Sequence, residues 1–98
     1  MIIIHVQVKI KPEKRGEFLD IARKDVEHGQ TVQGCIRYEW LGDTNGGDNF
    51  TLYEEWATQA DFDAYKQSDY FKQLNDVFAP LVAAKPESHY YTAEPIPA

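Results

Sequence analysis

His5 and His89 are the side chains of this sequence best suited to acid–base chemistry near neutral pH. We expect them on neighbouring strands, where they could act as general acid and base or hold an anion. The alternative is two histidines satisfied within the sheet or at a subunit interface. No carboxylate or cysteine stands beside them at ligand spacing, so the sequence predicts no metal site.

Two adjacent carboxyl groups, Glu54 and Glu55, must point to opposite faces of a strand, so one of them approaches the protein interior. An unpaired buried carboxylate is costly. We therefore predict that Arg37 and Glu39, on the neighbouring strand, join them in a structural ion-pair set. Cys35 has no adjacent base and is predicted to be a small buried side chain rather than a nucleophile.

The composition limits which classes of binding partner and which cellular compartment are expected. The chain has 98 residues, a formal net charge of −6 and one cysteine. This length fits one domain, residues 1–98, with an extended tail at 94–98. Lys and Arg do not cluster, so nucleic acids and anionic membranes are poor partners. With no internal disulfide, no signal peptide and no apolar run of membrane length, we expect a cytoplasmic protein.

Hydrophobic periodicity predicts four strands and three helices. The strands are predicted at 2–10, 35–41, 50–56 and 88–93, with helices at 13–28, after Thr58 and after Ser68. This order fits a four-stranded antiparallel sheet in the order 4-1-3-2 with helices over one face. The predicted fold class is thus α+β, a ferredoxin-like βαββαβ arrangement.

The second and third strands carry large apolar side chains on both faces. Ile36, Tyr38 and Trp40 are predicted to share a face opposite Leu41, and Phe50, Leu52 and Trp56 a face opposite Tyr53. Helices can cover only one side of the sheet, so a second copy is predicted to cover the other in a homodimer. The alternative is a monomer with surface aromatic side chains.

Several short segments, in order along about ninety residues, resemble the antibiotic biosynthesis monooxygenase family. They are Ile10-Lys11-Pro12, Gly34 to Glu39, Leu52 to Trp56, Ser68 to Phe71 and Ala79-Pro80-Leu81. The resemblance implies a dimeric α/β barrel with a pocket between sheet and helices in each subunit. The family includes cofactor-independent oxygenases of phenols and quinols, haem-degrading oxygenases and an isomerase, so the resemblance constrains the fold better than the reaction.

The resemblance also suggests pocket residues. Trp56 matches the tryptophan of the family's third strand, and its indole N–H could hold an oxyanion. Leu52 stands where a phenol-oxidising branch has asparagine. Tyr65 and Tyr70 stand where many relatives have histidine, and a phenol is the weaker general base at neutral pH. Asn75 replaces the histidine that binds iron in haem-degrading relatives, so haem degradation is not expected.

These observations favour a cofactor-independent monooxygenase that oxidises a small aromatic, quinol or enolisable molecule with O2. No dinucleotide or flavin motif is present, so no cofactor is expected. The predicted site residues are His5, Trp56 and Tyr70 for catalysis, and Tyr38, Leu52, Tyr65 and Asn75 for substrate binding. The alternatives are a small-molecule binding module without turnover and an acid–base isomerase with His5 as its base.

Overall fold

The computed structural model describes all 98 residues, from Met1 to Ala98. The strands are β1 (Ile2–Lys9), β2 (Cys35–Gly42), β3 (Asn49–Trp56) and β4 (Glu87–Thr92). The helices are α1 (Arg15–Gly29), α2 (Gln59–Lys66) and α3 (Asp69–Phe78), with 3-10 turns at Pro12–Lys14 and Ala79–Leu81. The predicted order of elements is confirmed, and the bounds predicted for the strands and for α1 agree within two residues.

The four strands form one antiparallel sheet in the order β2-β3-β1-β4, which confirms the predicted topology. β3 therefore lies between β1 and β2, and Glu54 is paired in register with Ile4 on one side and Tyr38 on the other. Since side chains alternate along a strand, these three residues face the helices. We call the opposite, helix-free side of the sheet the outer face.

An irregularity in β2 changes one predicted orientation. The register with β3 shifts between Cys35 and Arg37, so that Ile36 is an extra residue at a bulge. Ile36 is 51% exposed, whereas Tyr38 is fully buried. The prediction that Ile36 shares a face with Tyr38 and Trp40 is therefore wrong.

Both helices that follow β3 begin at side-chain caps. The Thr58 hydroxyl accepts a hydrogen bond from the Asp61 amide at 3.1 Å, and the Ser68 hydroxyl accepts one from the Phe71 amide at 3.2 Å. These bonds satisfy amides that the first turn of a helix leaves unpaired. The predicted starts of α2 and α3 are confirmed, and the caps fix the two helices that cover part of the sheet.

The helix-covered side of the sheet holds the core. Phe18 of α1 is fully buried, and its ring centroid lies 5.1 Å from that of Trp40 and 4.6 Å from that of Phe50. A second buried cluster surrounds Trp56 and Tyr65. None of the three helices has the length and apolarity that a membrane span requires.

Candidate functional site

A cavity of about 190 Å³ lies between the sheet and the two helices that follow β3. The sheet contributes aliphatic side chains such as Ile4, Val6 and Leu52, and the helices contribute aromatic ones such as Phe71 and Phe78. Thirteen of its eighteen lining residues are hydrophobic. A cavity of this kind suits a small apolar ligand held by a few polar groups.

Glu54 brings a carboxyl group to the wall of this cavity. Glu54 is only 4% exposed, and its Oε1 accepts a hydrogen bond from the Trp56 indole N–H at 2.8 Å. No cation pairs with it. Burial raises the pKa of Glu54 from its usual 4.5 to about 7, and the charge of Asp25 adds to this while the Trp56 bond opposes it.

Glu55 has the environment that was predicted for both carboxyl groups. On the outer face it accepts a hydrogen bond from the Tyr53 hydroxyl and lies 3.6 Å from an Arg37 guanidinium nitrogen. Arg37 also contacts Glu39 at 2.9 Å. The predicted ion-pair set is thus confirmed for Glu55, Arg37 and Glu39, but wrong for Glu54, because Arg37 lies on the other side of the sheet.

Asp25 of α1 is the buried polar residue that sequence reasoning missed. Its carboxyl group accepts hydrogen bonds from the Tyr38 hydroxyl at 2.7 Å, the Trp40 indole at 2.8 Å and the Tyr70 hydroxyl at 2.6 Å. A signal for its burial was present in the sequence, since the buried residues of α1 are Phe18, Ala22, Asp25 and Gly29. That spacing of four, three and four places Asp25 on the helical stripe that faces the core.

The Asp25 group extends to the cavity through two phenols. The Tyr38 hydroxyl lies 3.3 Å from the Tyr65 hydroxyl, and both tyrosines line the cavity. Burial raises the pKa of both phenols above the ordinary range, and the negative charge of Asp25 adds to the effect on each. Both groups therefore stay protonated at neutral pH, as hydrogen-bonding groups rather than bases.

The structure brings four of the predicted site residues together, because Tyr38, Leu52, Tyr65 and Asn75 all line the cavity. Trp56 does not line the cavity and lies directly behind its wall. It is fully buried, and its N–H is engaged by Glu54 rather than free to meet a ligand oxyanion.

Tyr70 and His5 do not line this cavity. The Tyr70 hydroxyl binds Asp25, and its ring stacks on His28 with centroids 3.4 Å apart. His5 lies on the outer face, because strand alternation turns it away from Ile4 and Val6. His89 lies on the neighbouring strand, as predicted, and is paired with His5 in register; His5 also packs near Tyr53. The structure thus departs from the predicted arrangement, in which His5, Trp56 and Tyr70 line one pocket with Tyr65.

Cys35 is partly buried, and desolvation raises the pKa of its thiol to about 11, so it is a thiol rather than a thiolate at neutral pH. The structure contains no group of three or more His, Cys, Asp or Glu side chains arranged to hold a metal ion.

Comparisons with known proteins agree with this architecture. The chain is 28% identical over 90 residues to the uncharacterized protein sll1783 of Synechocystis sp., covering 92% of this chain and 61% of that protein. It therefore spans less than two thirds of that relative. It is also 29% identical over 72 residues to YcnE of Bacillus subtilis, which is named provisionally as a monooxygenase, covering 74% of this chain and 76% of YcnE.

Solved structures show the same fold. A protein from Nitrosomonas europaea, named provisionally as an antibiotic biosynthesis monooxygenase, superposes with a TM-score of 0.88 at 24% identity, covering 95% of this chain and 98% of that one. A conserved protein from Methanosarcina mazei Go1 also gives a TM-score of 0.88, at 25% identity, over 95% and 92% of the two chains. The family model described as antibiotic biosynthesis monooxygenase matches residues 1–77. The chain belongs to the antibiotic biosynthesis monooxygenase family.

Proposed function

We propose that this protein is a cofactor-independent monooxygenase that oxidises a small aromatic, quinol or enolisable molecule with O2 in the cavity between sheet and helices. The observation that carries the proposal is Glu54, a carboxyl group on the wall of an apolar cavity that takes part in no salt bridge. A base with a pKa of about 7 can accept a proton at neutral pH and release it again.

The chemistry requires an electron-rich substrate. Glu54 takes a proton from a phenol, a quinol or an activated CH2 group, and the resulting anion transfers an electron to O2. For a CH2 group next to aromatic rings, as in an anthrone, the carbon becomes C=O. One oxygen atom enters the product, and the other leaves as water with the two hydrogens. The substrate supplies every electron, so no external reductant is needed.

The other cavity residues position the substrate in this proposal. Leu52 and the aromatic walls exclude water, which strengthens electrostatic interactions inside the cavity. Asn75 can donate an amide hydrogen bond to an oxyanion, and Trp56 holds the Glu54 carboxyl group in place. His5 and Tyr70 receive no chemical step here, and their catalytic roles remain predictions.

The test is O2 uptake with a panel of reduced quinols and hydroxyanthrones. Glu54→Gln should lower the rate by roughly 10²-fold or more, because general base catalysis is lost. Glu55→Gln is the matched control, since it replaces the next carboxyl group on the opposite face and should keep most of the activity. Wild-type rates equal to the uncatalysed background across the whole panel would reject the proposal.

The pH dependence offers an independent check. Because Glu54 must be deprotonated to act, the wild-type rate should rise with pH through about 7 and then level off. A rate that is flat across this range would exclude Glu54 as the base.

The near-neutral pKa of Glu54 also favours a second candidate, an acid–base isomerase, with Glu54 rather than His5 as its base. Such an enzyme moves a proton between carbon and oxygen without O2. Incorporation of solvent deuterium into an enolisable ketone under nitrogen, with no O2 consumed in air, would favour the isomerase.

A further inference from the structure

The hydrogen bonds that connect Tyr65, Tyr38 and Asp25 have a fixed direction. A carboxylate only accepts, and a phenol has one proton to donate. Tyr38 donates its proton to Asp25 at 2.7 Å. The contact between the Tyr38 and Tyr65 hydroxyls, at 3.3 Å, must then use the proton of Tyr65, because that of Tyr38 is already engaged. While both protons are engaged in these bonds, each phenol oxygen offers lone pairs to a ligand, and a donation from Tyr65 to a ligand would break its bond to Tyr38.

The buried end of the cavity is therefore rich in hydrogen-bond acceptors. Glu54 is the register partner of Tyr38 across the sheet, and its carboxyl group lies in the same wall. Lys66 also lines the cavity and is a donor, but it is not part of this buried group. Its side chain is 41% exposed and pairs with Asp63 at 3.6 Å. Asn75, on the helix wall, can either donate or accept.

We propose that Asp25 acts through Tyr38 as a positioning residue that makes the cavity selective for ligands with a free hydroxyl group. A hydroxyl at this position donates to the oxygen of Tyr65 or to the ionised Glu54 carboxylate, whereas a carbonyl or ether oxygen there receives no hydrogen bond from Tyr38 or Tyr65. An unpaired acceptor in a buried site costs binding free energy. The selectivity favours a reduced, hydroxylated substrate over an oxidised carbonyl product, which would assist product release. This inference rests on the proposed function for the location of the ligand.

The test compares two aromatic probes that share a skeleton, 2-naphthol and 2-methoxynaphthalene, by calorimetric titration under nitrogen at about pH 8, where Glu54 is mostly ionised. The naphthol can donate a hydrogen bond, but the methyl ether can only accept one. We expect wild-type protein to bind the naphthol about tenfold more tightly, the effect of one net hydrogen bond. Equal affinities, or no binding of either probe at millimolar concentration, would overturn the inference.

Tyr38→Phe is the informative variant, because it keeps the ring and releases the Tyr65 proton. Tyr65 can then donate to the ether oxygen, so the affinity ratio of the two probes should fall to about threefold or less. Tyr70→Phe is the matched control, since it also removes one hydroxyl from Asp25 but leaves the bond between Tyr38 and Tyr65 intact. Its ratio should equal that of the wild type.

A merely structural role for Tyr38 would weaken both probes together and leave their ratio unchanged, which would contradict the inference. Equal falls of the ratio in Tyr38→Phe and Tyr70→Phe would contradict it as well. If Tyr38→Phe does not fold, Tyr65→Phe provides the test: binding of the naphthol should weaken and binding of the ether should not. A ratio that responds to Tyr38 without any O2 uptake supports the inference and rejects the monooxygenase. O2 uptake that is lost in Glu54→Gln, together with an affinity ratio that Tyr38→Phe leaves unchanged, supports the monooxygenase and rejects the inference.

Discussion

Glu54 is a carboxyl group that the fold buries without a cationic partner, and this links the stability of the protein to pH. In the unfolded chain its pKa is the usual 4.5, and in the folded protein it is about 7. Between these values the folded state binds a proton that the unfolded state has released. The free energy of unfolding therefore falls as pH rises through this window, by about 3 kcal/mol in total.

Glu54→Gln should remove this dependence, because a neutral amide has no proton to lose. Relative to wild type, the variant should gain roughly 2 kcal/mol of stability between pH 5 and pH 8. Urea unfolding of both proteins at the two pH values measures the difference, with Glu55→Gln as the control for loss of a neighbouring carboxyl group. Identical pH dependence in wild type and Glu54→Gln would show that burial does not raise the pKa of this carboxyl group.

The sequence predicts part of this arrangement at the residue scale. Strand alternation correctly places Glu54 and Glu55 on opposite faces. It does not reveal which of the two carboxyl groups pairs with Arg37, because the bulge at Ile36 sets the register of Arg37 against Glu55. Asp25 was missed for a different reason: an acidic residue in a helix is normally placed in water, and its three donors come from distant parts of the chain.

At the scale of elements, α1 is held against β2 by a close approach at its last residue. A Cβ atom added at Gly29 would lie 2.5 Å from Cγ of Tyr38 and 2.7 Å from its Cβ. These atoms are near the backbone and cannot easily move aside. Gly29 is the last residue of the helix, and its lack of a Cβ atom allows this contact.

Gly29→Ala should therefore destabilise the protein by about 2 kcal/mol, as overpacking of a core does. It should also displace Tyr38 and weaken the binding of 2-naphthol. Gly16→Ala is the control in the same helix, because nothing lies within 4 Å of its added Cβ. That variant should be stabilised by about 0.5 kcal/mol, since alanine restricts the unfolded chain. Chemical denaturation of both variants would reveal the contrast, and equal effects would contradict it.

The elements themselves were predictable because their signals are local. Alternation marks β1 and β3, and the Thr58 and Ser68 caps mark the starts of α2 and α3. The cavity was predicted only through the family resemblance. Its walls come from the packing of α2 and α3 on the sheet, and no short stretch of sequence records how closely a helix approaches a strand.

At the scale of the whole molecule, the outer face of the sheet has no helix over it. It carries apolar side chains among charged ones: Tyr91 is 51% exposed and Leu41 is 47% exposed, beside the ion pairs of Arg37. The face is thus more polar than the alternation pattern predicts. We expect a homodimer through this face, with the mixed composition typical of interfaces whose partners also exist alone.

Tyr91 pairs in register with Ile3 near the end of β4, on the outer face, so a charge placed there should disrupt such a dimer. Tyr91→Lys should weaken association at least about tenfold, whereas Val77→Lys should not. Val77 is a suitable control because it is 46% exposed and lies on α3, away from the outer face. Sedimentation velocity at micromolar concentrations distinguishes the monomer from the dimer. A wild-type monomer, or dissociation by the Val77 substitution alone, would show that the outer face does not form the interface.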